Sequence, residues 1–135
     1  MSGNDEKYEA LSEEHERIGS KIVGACFKLH NDLGPGLYEN VYETCLSHLL
    51  VKEGLKVERQ VRIPIEYDGL VFPEGYRVDL WINKLVICEL KSVETIHPVH
   101  KIQLLTYLKL SNTRLGYLIN FNAPRMKYGI KRMIN

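Results

Sequence analysis

Two stretches, Tyr76 to Ile82 and Leu85 to Lys91, constrain the fold most, because polarity leaves them one sensible register as paired strands. A two-residue turn at Asn83-Lys84 would pair Ile82 with Leu85, set Val78 against Glu89 and Asp79 against Cys88, and mix charge with core on both faces. A three-residue connection through Asn83, Lys84 and Leu85 pairs Ile82 with Val86, Leu80 with Cys88 and Val78 with Leu90. One face is then wholly apolar, and the other carries Arg77, Asp79, Trp81, Ile87, Glu89 and Lys91. The segregated register is preferred, since a buried carboxylate without a partner is costly. It predicts Asp79 directly across from Glu89, with Cβ atoms about 5 Å apart.

The rest of the chain supplies elements to cover that apolar face. Ile18, Ile22, Cys26, Leu29 and Leu33 recur at helical spacing and predict a helix over 13–33, broken by Gly34-Pro35-Gly36. A second helix is predicted over 38–53, ended by Gly54. Val57, Val61, Ile63 and Ile65 alternate with polar residues as a strand with one wet face; Asp68-Gly69 is a turn and Pro73-Glu74-Gly75 a further break. Pro98 opens a third helix to about residue 111, with Ile102, Leu105 and Leu108 apolar, and 115–121 is a last β-prone run. A basic stretch anchored by Ile130, Met133 and Ile134 ends the chain. The predicted class is α/β (α+β), a central mixed sheet flanked by helices in the order α-α-β-β-β-α-β. At 135 residues the chain is expected to form a single domain over 1–135, with residues 1–12 a flexible acidic arm.

Paired carboxylates repel unless a cation lies between them, and hard oxygen ligands suit Mg²⁺ or Mn²⁺. Lys91, two residues beyond Glu89 on the same face, is placed to orient or deprotonate an attacking water. E-x-K alone is common, and in isolation it is more often an ordinary ion pair, here of Lys91 with the two acids on a half-exposed sheet. His100, Gln103 and Tyr107 form one stripe of the third helix, away from its apolar residues, where Gln103 and Tyr107 suit a phosphate, a base or the acid cluster. His97 and His100 flank Pro98 and read as a helix-start pair rather than a metal site. Glu39 lies in the first turn of the second helix, where the helix dipole favours a carboxylate, and is a candidate to complete the ligand set.

The net charge of +1 conceals a gradient. Residues 1–16 hold six acids and one base, whereas residues 95–135 hold no acid and seven bases: Lys101, Lys109, Arg114, Arg125, Lys127, Lys131 and Arg132. Such a segment fits a polyanion footprint, or a solvated face balanced by the acidic start. No apolar run is long enough to span a bilayer, and Cys26, Cys45 and Cys88 read as reduced core thiols. A cytoplasmic protein with no membrane association is expected.

Gly36-Leu37-Tyr38-Glu39-Asn40-Val41-Tyr42 reads as G-x-x-E-x-x-Y, and residues 15–132 resemble the GxxExxY family of small prokaryotic proteins in the PD-(D/E)xK nuclease superfamily. Asp79 with Glu89-Leu90-Lys91 is similar to the superfamily's D…E-x-K core, and Gln103 to Tyr107 to the Q-x-x-x-Y motif of RecB-type and Cas4-type members; Val78 replaces the proline of the PD pair. The resemblance implies a restriction-endonuclease-like fold and hydrolysis of DNA or RNA phosphodiesters with Mg²⁺, or Mn²⁺ in its place. It implies Glu39, Asp79 and Glu89 as metal ligands, with the Leu90 carbonyl, and Lys91, Gln103 and Tyr107 as further site residues. His100, Lys101, Arg114, Arg125, Lys127, Lys131 and Arg132 would then hold nucleic acid. The superfamily also includes inactive binders, so a nucleic-acid-binding or protein-interaction module on the same fold stays open, as do a homodimer and a place in a larger nucleic-acid-processing complex.

Overall fold

The computed structural model describes residues 11–135. The acidic arm expected over 1–12 lies outside the described residues except at its end, where Leu11 packs against the core and the Ser12 side chain accepts the His15 N–H. That cap, with Glu13, Glu14 and Glu16 in the first turn, starts α1 (Glu13–Leu33). Ile18, Ile22, Cys26 and Leu29 form its buried stripe, and the Gly34 N–H closes its end on the His30 carbonyl at 2.8 Å. In α2 (Glu39–Lys52), Tyr42, Leu46 and Leu50 are buried. The Tyr42 hydroxyl donates to the Gly34 carbonyl at 2.6 Å and accepts the Leu37 N–H at 3.1 Å, so this residue of the G-x-x-E-x-x-Y run pins the α1–α2 connection.

The sheet has the order β1-β2-β3-β4-β5, built from β1 (Val57–Tyr67), β2 (Leu70–Ile82), β3 (Val86–Lys91), β4 (Leu115–Asn120) and β5 (Ile130–Ile134). β3 and β4 are parallel and the other neighbours antiparallel, so the mixed sheet expected from the sequence is formed. The parallel pair is bridged by α3 (Pro98–Leu110), and a short α4 (Met126–Gly129) precedes β5. α1, α2 and Met126 of α4 cover one face of the sheet; α3 covers the other through Leu104 and Leu108. Among the described residues, no helix is long and apolar enough to cross a membrane.

The three-residue connection is present: Asn83 and Lys84 take positive φ, Leu85 is the extra residue, and Ile82 pairs with Val86 and Leu80 with Cys88. Four expectations are corrected. First, Pro73-Glu74-Gly75 does not break the chain. β2 runs through it, and the register slips between Ile63 and Ile65. Second, Val78 does not share a face with Leu80 and Ile82. Tyr76 and Val78 pack on the α3 side while Leu80 and Ile82 pack on the α1–α2 side; in β1, Val61, Ile63 and Ile65 likewise part from Val57. Both strands change face at one place, between the Arg59–Leu80 and Val61–Val78 pairs; in β1 this is where Gln60 has φ of 51°, and a left-handed residue interrupts the alternation of side chains along a strand. Third, α3 buries Leu104 and Leu108 but leaves Ile102 and Leu105 exposed. Fourth, the basic C-terminal stretch forms α4 and edge strand β5, which adds two elements to the predicted order. β5 is short and carries adjacent Lys131 and Arg132, so its alternation is blurred.

Two glycines separate backbone strain from helix propensity. Gly75 has φ of +36°, and a side chain there would collide with the Ile63 carbonyl, whereas Gly24 lies in the exposed interior of α1 with open space beside it. Gly75→Ala is expected to lower stability by about 1–3 kcal/mol. Gly24→Ala is expected to raise it by about 0.5–1 kcal/mol. Urea unfolding midpoints of the two variants, shifting in opposite directions, check both.

Candidate active site

The β2–β3 ladder ends at the Leu80–Cys88 pair. One step beyond, side chains take over the pairing. The Asp79 N–H donates to Glu89 Oε1 at 3.1 Å, and the Leu90 N–H donates to Asp79 Oδ2 at 2.8 Å. Each acid is thus fixed by the other's strand through a charge-assisted hydrogen bond. The side-by-side placement of Asp79 and Glu89 that the register predicts is therefore present, but the carboxylates engage backbone amides as well as facing one another.

A second layer comes from α2 and β1. The Gln60 amide donates to Asp79 Oδ1 at 3.3 Å and also to Glu43 Oε1. Arg59 donates to Glu43 Oε2 at 3.0 and 3.1 Å and to Thr44 Oγ1 at 2.7 Å. Glu43 is only 8% exposed, and a carboxylate that deep is tolerable because both its oxygens are bonded. The sequence reading missed Glu43 and Gln60. Glu43 stands one helical turn after Glu39, which was its available signal. Gln60 had none, since nothing in its identity announces a left-handed conformation inside a strand.

Glu39, Asn40, Glu43, Gln60, Arg77, Asp79 and Leu90 line a cleft of about 320 Å³. Glu39 is exposed at its rim in the first turn of α2 and shares the cleft with Asp79. Glu89 is buried, and its carboxyl is pushed up to about 8, first by burial and then by the charge of Asp79, with Lys91 pulling the other way. Lys91 is half-buried at the end of β3. The Tyr107 ring stacks on Tyr76 with centroids 4.3 Å apart. Burial raises its hydroxyl first, and the Glu89 charge adds to that. His100 is lowered by partial burial and then by Lys91, with Glu39 opposing. The His97 N–H donates to His100 Nδ1 at 3.3 Å, the helix-start pairing expected of these histidines. Gln103 is exposed one turn before Tyr107, and the structure does not join it to the acids.

The basic residues of the C-terminal segment do not line the cleft. None of Lys101, Arg114, Arg125, Lys127, Lys131 or Arg132 lines it. Arg132 is paired with Glu16 at 2.7 Å. Arg114 donates to the Asn135 carbonyl at 3.1 Å, at the opposite end of β4 from the Asn120–Lys91 pair. Lys131 lies on edge strand β5, Lys101 is exposed on α3, Arg125 precedes α4 as its N-cap and Lys127 lies within it. The cation in the cleft is Arg77, which has no acid partner among the described residues. A sum over sequence positions could not reveal this, because the gradient belongs to loops and edges that the fold distributes around the molecule.

Among the described residues, no three His, Cys, Asp or Glu side chains stand together as a preformed cation cage, so Glu39 is not drawn onto Asp79 and Glu89. The donor chemistry nonetheless fits a hard divalent cation. Asp79, Glu89 and the Leu90 carbonyl offer only oxygen, Glu39 lines the same cleft as Asp79, and the upward push on Glu89 by Asp79 is the repulsion such a cation would relieve.

Residues 16–133 match the family model described as PD-(D/E)XK nuclease superfamily. No curated protein matches the chain.

The Glu89 shift carries a sign for stability. Because the folded state holds the proton up to about pH 8 while an unfolded glutamate releases it near the ordinary carboxylate value, the native state binds more protons between these limits. Stability contributed by this group is present at low pH and lost as pH rises through about 8. Urea unfolding in EDTA is therefore expected to show Glu89→Gln gaining stability relative to the wild type between pH 5 and pH 8; parallel pH profiles would contradict the assignment.

Proposed function

The chain belongs to the PD-(D/E)XK nuclease superfamily, and from that premise we propose that it is a divalent-metal-dependent nuclease hydrolysing phosphodiester bonds of DNA or RNA. The hydrogen bonds from the Asp79 N–H to Glu89 and from the Leu90 N–H to Asp79 carry this reading, because they hold two carboxylates side by side where β3 ends at Lys91. The run Gly36 to Tyr42 supports a place within the GxxExxY family. The unpaired thiols Cys26, Cys45 and Cys88 support a cytoplasmic location.

Asp79, Glu89 and the Leu90 carbonyl would hold Mg²⁺, or Mn²⁺ in its place, with Glu39 approaching from the rim of α2. The cation supplies Lewis-acid stabilisation of charge on the phosphoryl oxygens. Lys91 orients the attacking water and neutralises charge developing on the phosphorus centre. Arg77 takes a phosphate oxygen of the substrate strand, since the described residues give its guanidinium no competing acid. Tyr107 backs Glu89 from the α3 side, its stack on Tyr76 fixing the ring. Gln60 and Glu43 keep the Asp79 carboxylate in one orientation. Gln103 and His100 extend from the same helix toward the substrate.

Lys91→Ala is expected to reduce Mg²⁺-dependent cleavage of labelled single- or double-stranded DNA or RNA by about 10²–10³-fold while leaving binding nearly intact. If the wild type binds these polymers yet cuts none of them with Mg²⁺ or Mn²⁺, the proposal is wrong. Mn²⁺ should also raise the melting temperature of the wild type but not of Asp79→Asn.

A further inference from the structure

A second concavity, of about 210 Å³, opens at the C-terminal end of α1, lined among others by Phe27, His30, Asn31, Arg125 and Lys127. We propose that it is a single-stranded nucleic-acid subsite, in which Phe27 stacks on a base while Arg125 and Lys127 hold the flanking phosphates.

Its chemistry is the reverse of the cleft's. Glu39, Glu43 and Asp79 line the cleft, whereas no acid lines this pocket. Neither Arg125 nor Lys127 has a carboxylate partner among the described residues, while Arg17, Lys28 and Arg132 are all paired. Phe27 is 44% exposed on a helix whose opposite face is core, so packing does not account for its ring. Lys127 Nζ lies 4.9 Å from the Tyr128 ring centre, which adds a second exposed aromatic beside the cations. His30 serves as wall: its Nε2 is 2.7 Å from the Ala123 carbonyl, an acceptor only, so that nitrogen carries the proton and is spent.

Position connects the pocket to the acids. Glu89 and Lys91 end β3, and the parallel register sets them beside Leu118 and Asn120 of β4. The Phe121 N–H donates to the Lys91 carbonyl at 3.0 Å, and the chain then runs directly into the pocket wall. Unpaired cations select a polyanion, and an exposed ring among them selects one that carries flat bases over an acidic peptide. The inference rests on the nuclease reading for the identity of the polymer alone.

Anisotropy of a labelled single-stranded oligonucleotide, measured in EDTA, tests the site without turnover. Phe27→Ala is expected to weaken binding about 5- to 150-fold with an unchanged salt slope. The Arg125→Ala, Lys127→Ala double variant should flatten the slope of log K against log salt by about 1.4, two phosphates at about 0.7 each. Phe27→Leu, which keeps apolar bulk, should lose affinity for the normal oligonucleotide but not for one of abasic sites. Binding by all three variants equal to the wild type overturns the subsite, as does equal competition by polyglutamate. Cleavage by the wild type in Mg²⁺ is scored separately: cutting with unchanged variant binding removes the subsite and keeps the nuclease, and the opposite pattern removes the nuclease and keeps the subsite.

Discussion

At Gln60 and Asp79 the β1–β2 hairpin reverses the faces it presents, and the site depends on that reversal. Below it, Val57, Leu80 and Ile82 join the core under α1 and α2; above it, Val61, Ile63, Tyr76 and Val78 join the core under α3. Gln60 allows this by taking φ of 51°, a conformation costly for a residue with a side chain. The cost is offset where its amide bonds both Glu43 and Asp79. The reversal also coincides with the end of the β2–β3 ladder, where Asp79 accepts from Leu90 and Glu89 from Asp79. Without it, Val78 would follow Leu80 into one core and the hairpin could not serve both layers.

Two helices are tied to this point by different physics. α2 is locked by Tyr42, fully buried, stacked on Phe121 at 4.5 Å and hydrogen-bonded to the loop that precedes its own helix. That anchor sets Glu39 at the cleft rim and sends Glu43 inward to Arg59. α3 is held by Leu104 and Leu108 and by the Tyr76–Tyr107 stack, reinforced where the Tyr76 hydroxyl donates to the Tyr107 carbonyl at 2.9 Å. Buried aromatic contacts orient both helices, and the charged residues then inherit fixed positions.

The electrostatics divide by location. The cleft concentrates acid, and beside it burial and then the charge of Asp79 push Glu89 up to about 8, while Arg125 and Lys127 line a separate pocket that no acid lines. A nuclease has use for both, since metal-holding acids repel the phosphates that separate cations must attract. Arg77, a cation lining the acidic cleft, is the exception.

Much of this is legible in the sequence. Helical spacing predicted α1 over its full length, and charge segregation selected the three-residue β2–β3 connection, because local periodicity and the cost of burying charge act within a few residues. The Asp79, Glu89, Lys91 grouping followed from that register. What sequence could not reveal was set by contacts distant along the chain. The face change at Gln60 depends on cores supplied by helices on either side of it. Glu43 became a buried, bonded acid only once Arg59 and Gln60 were folded against α2. β5 formed because β4 offered it an edge. The C-terminal bases were countable in sequence, yet Arg132 met Glu16 and Arg125 met open space only through tertiary packing, since Coulomb interactions fall off with distance in space and not along the chain.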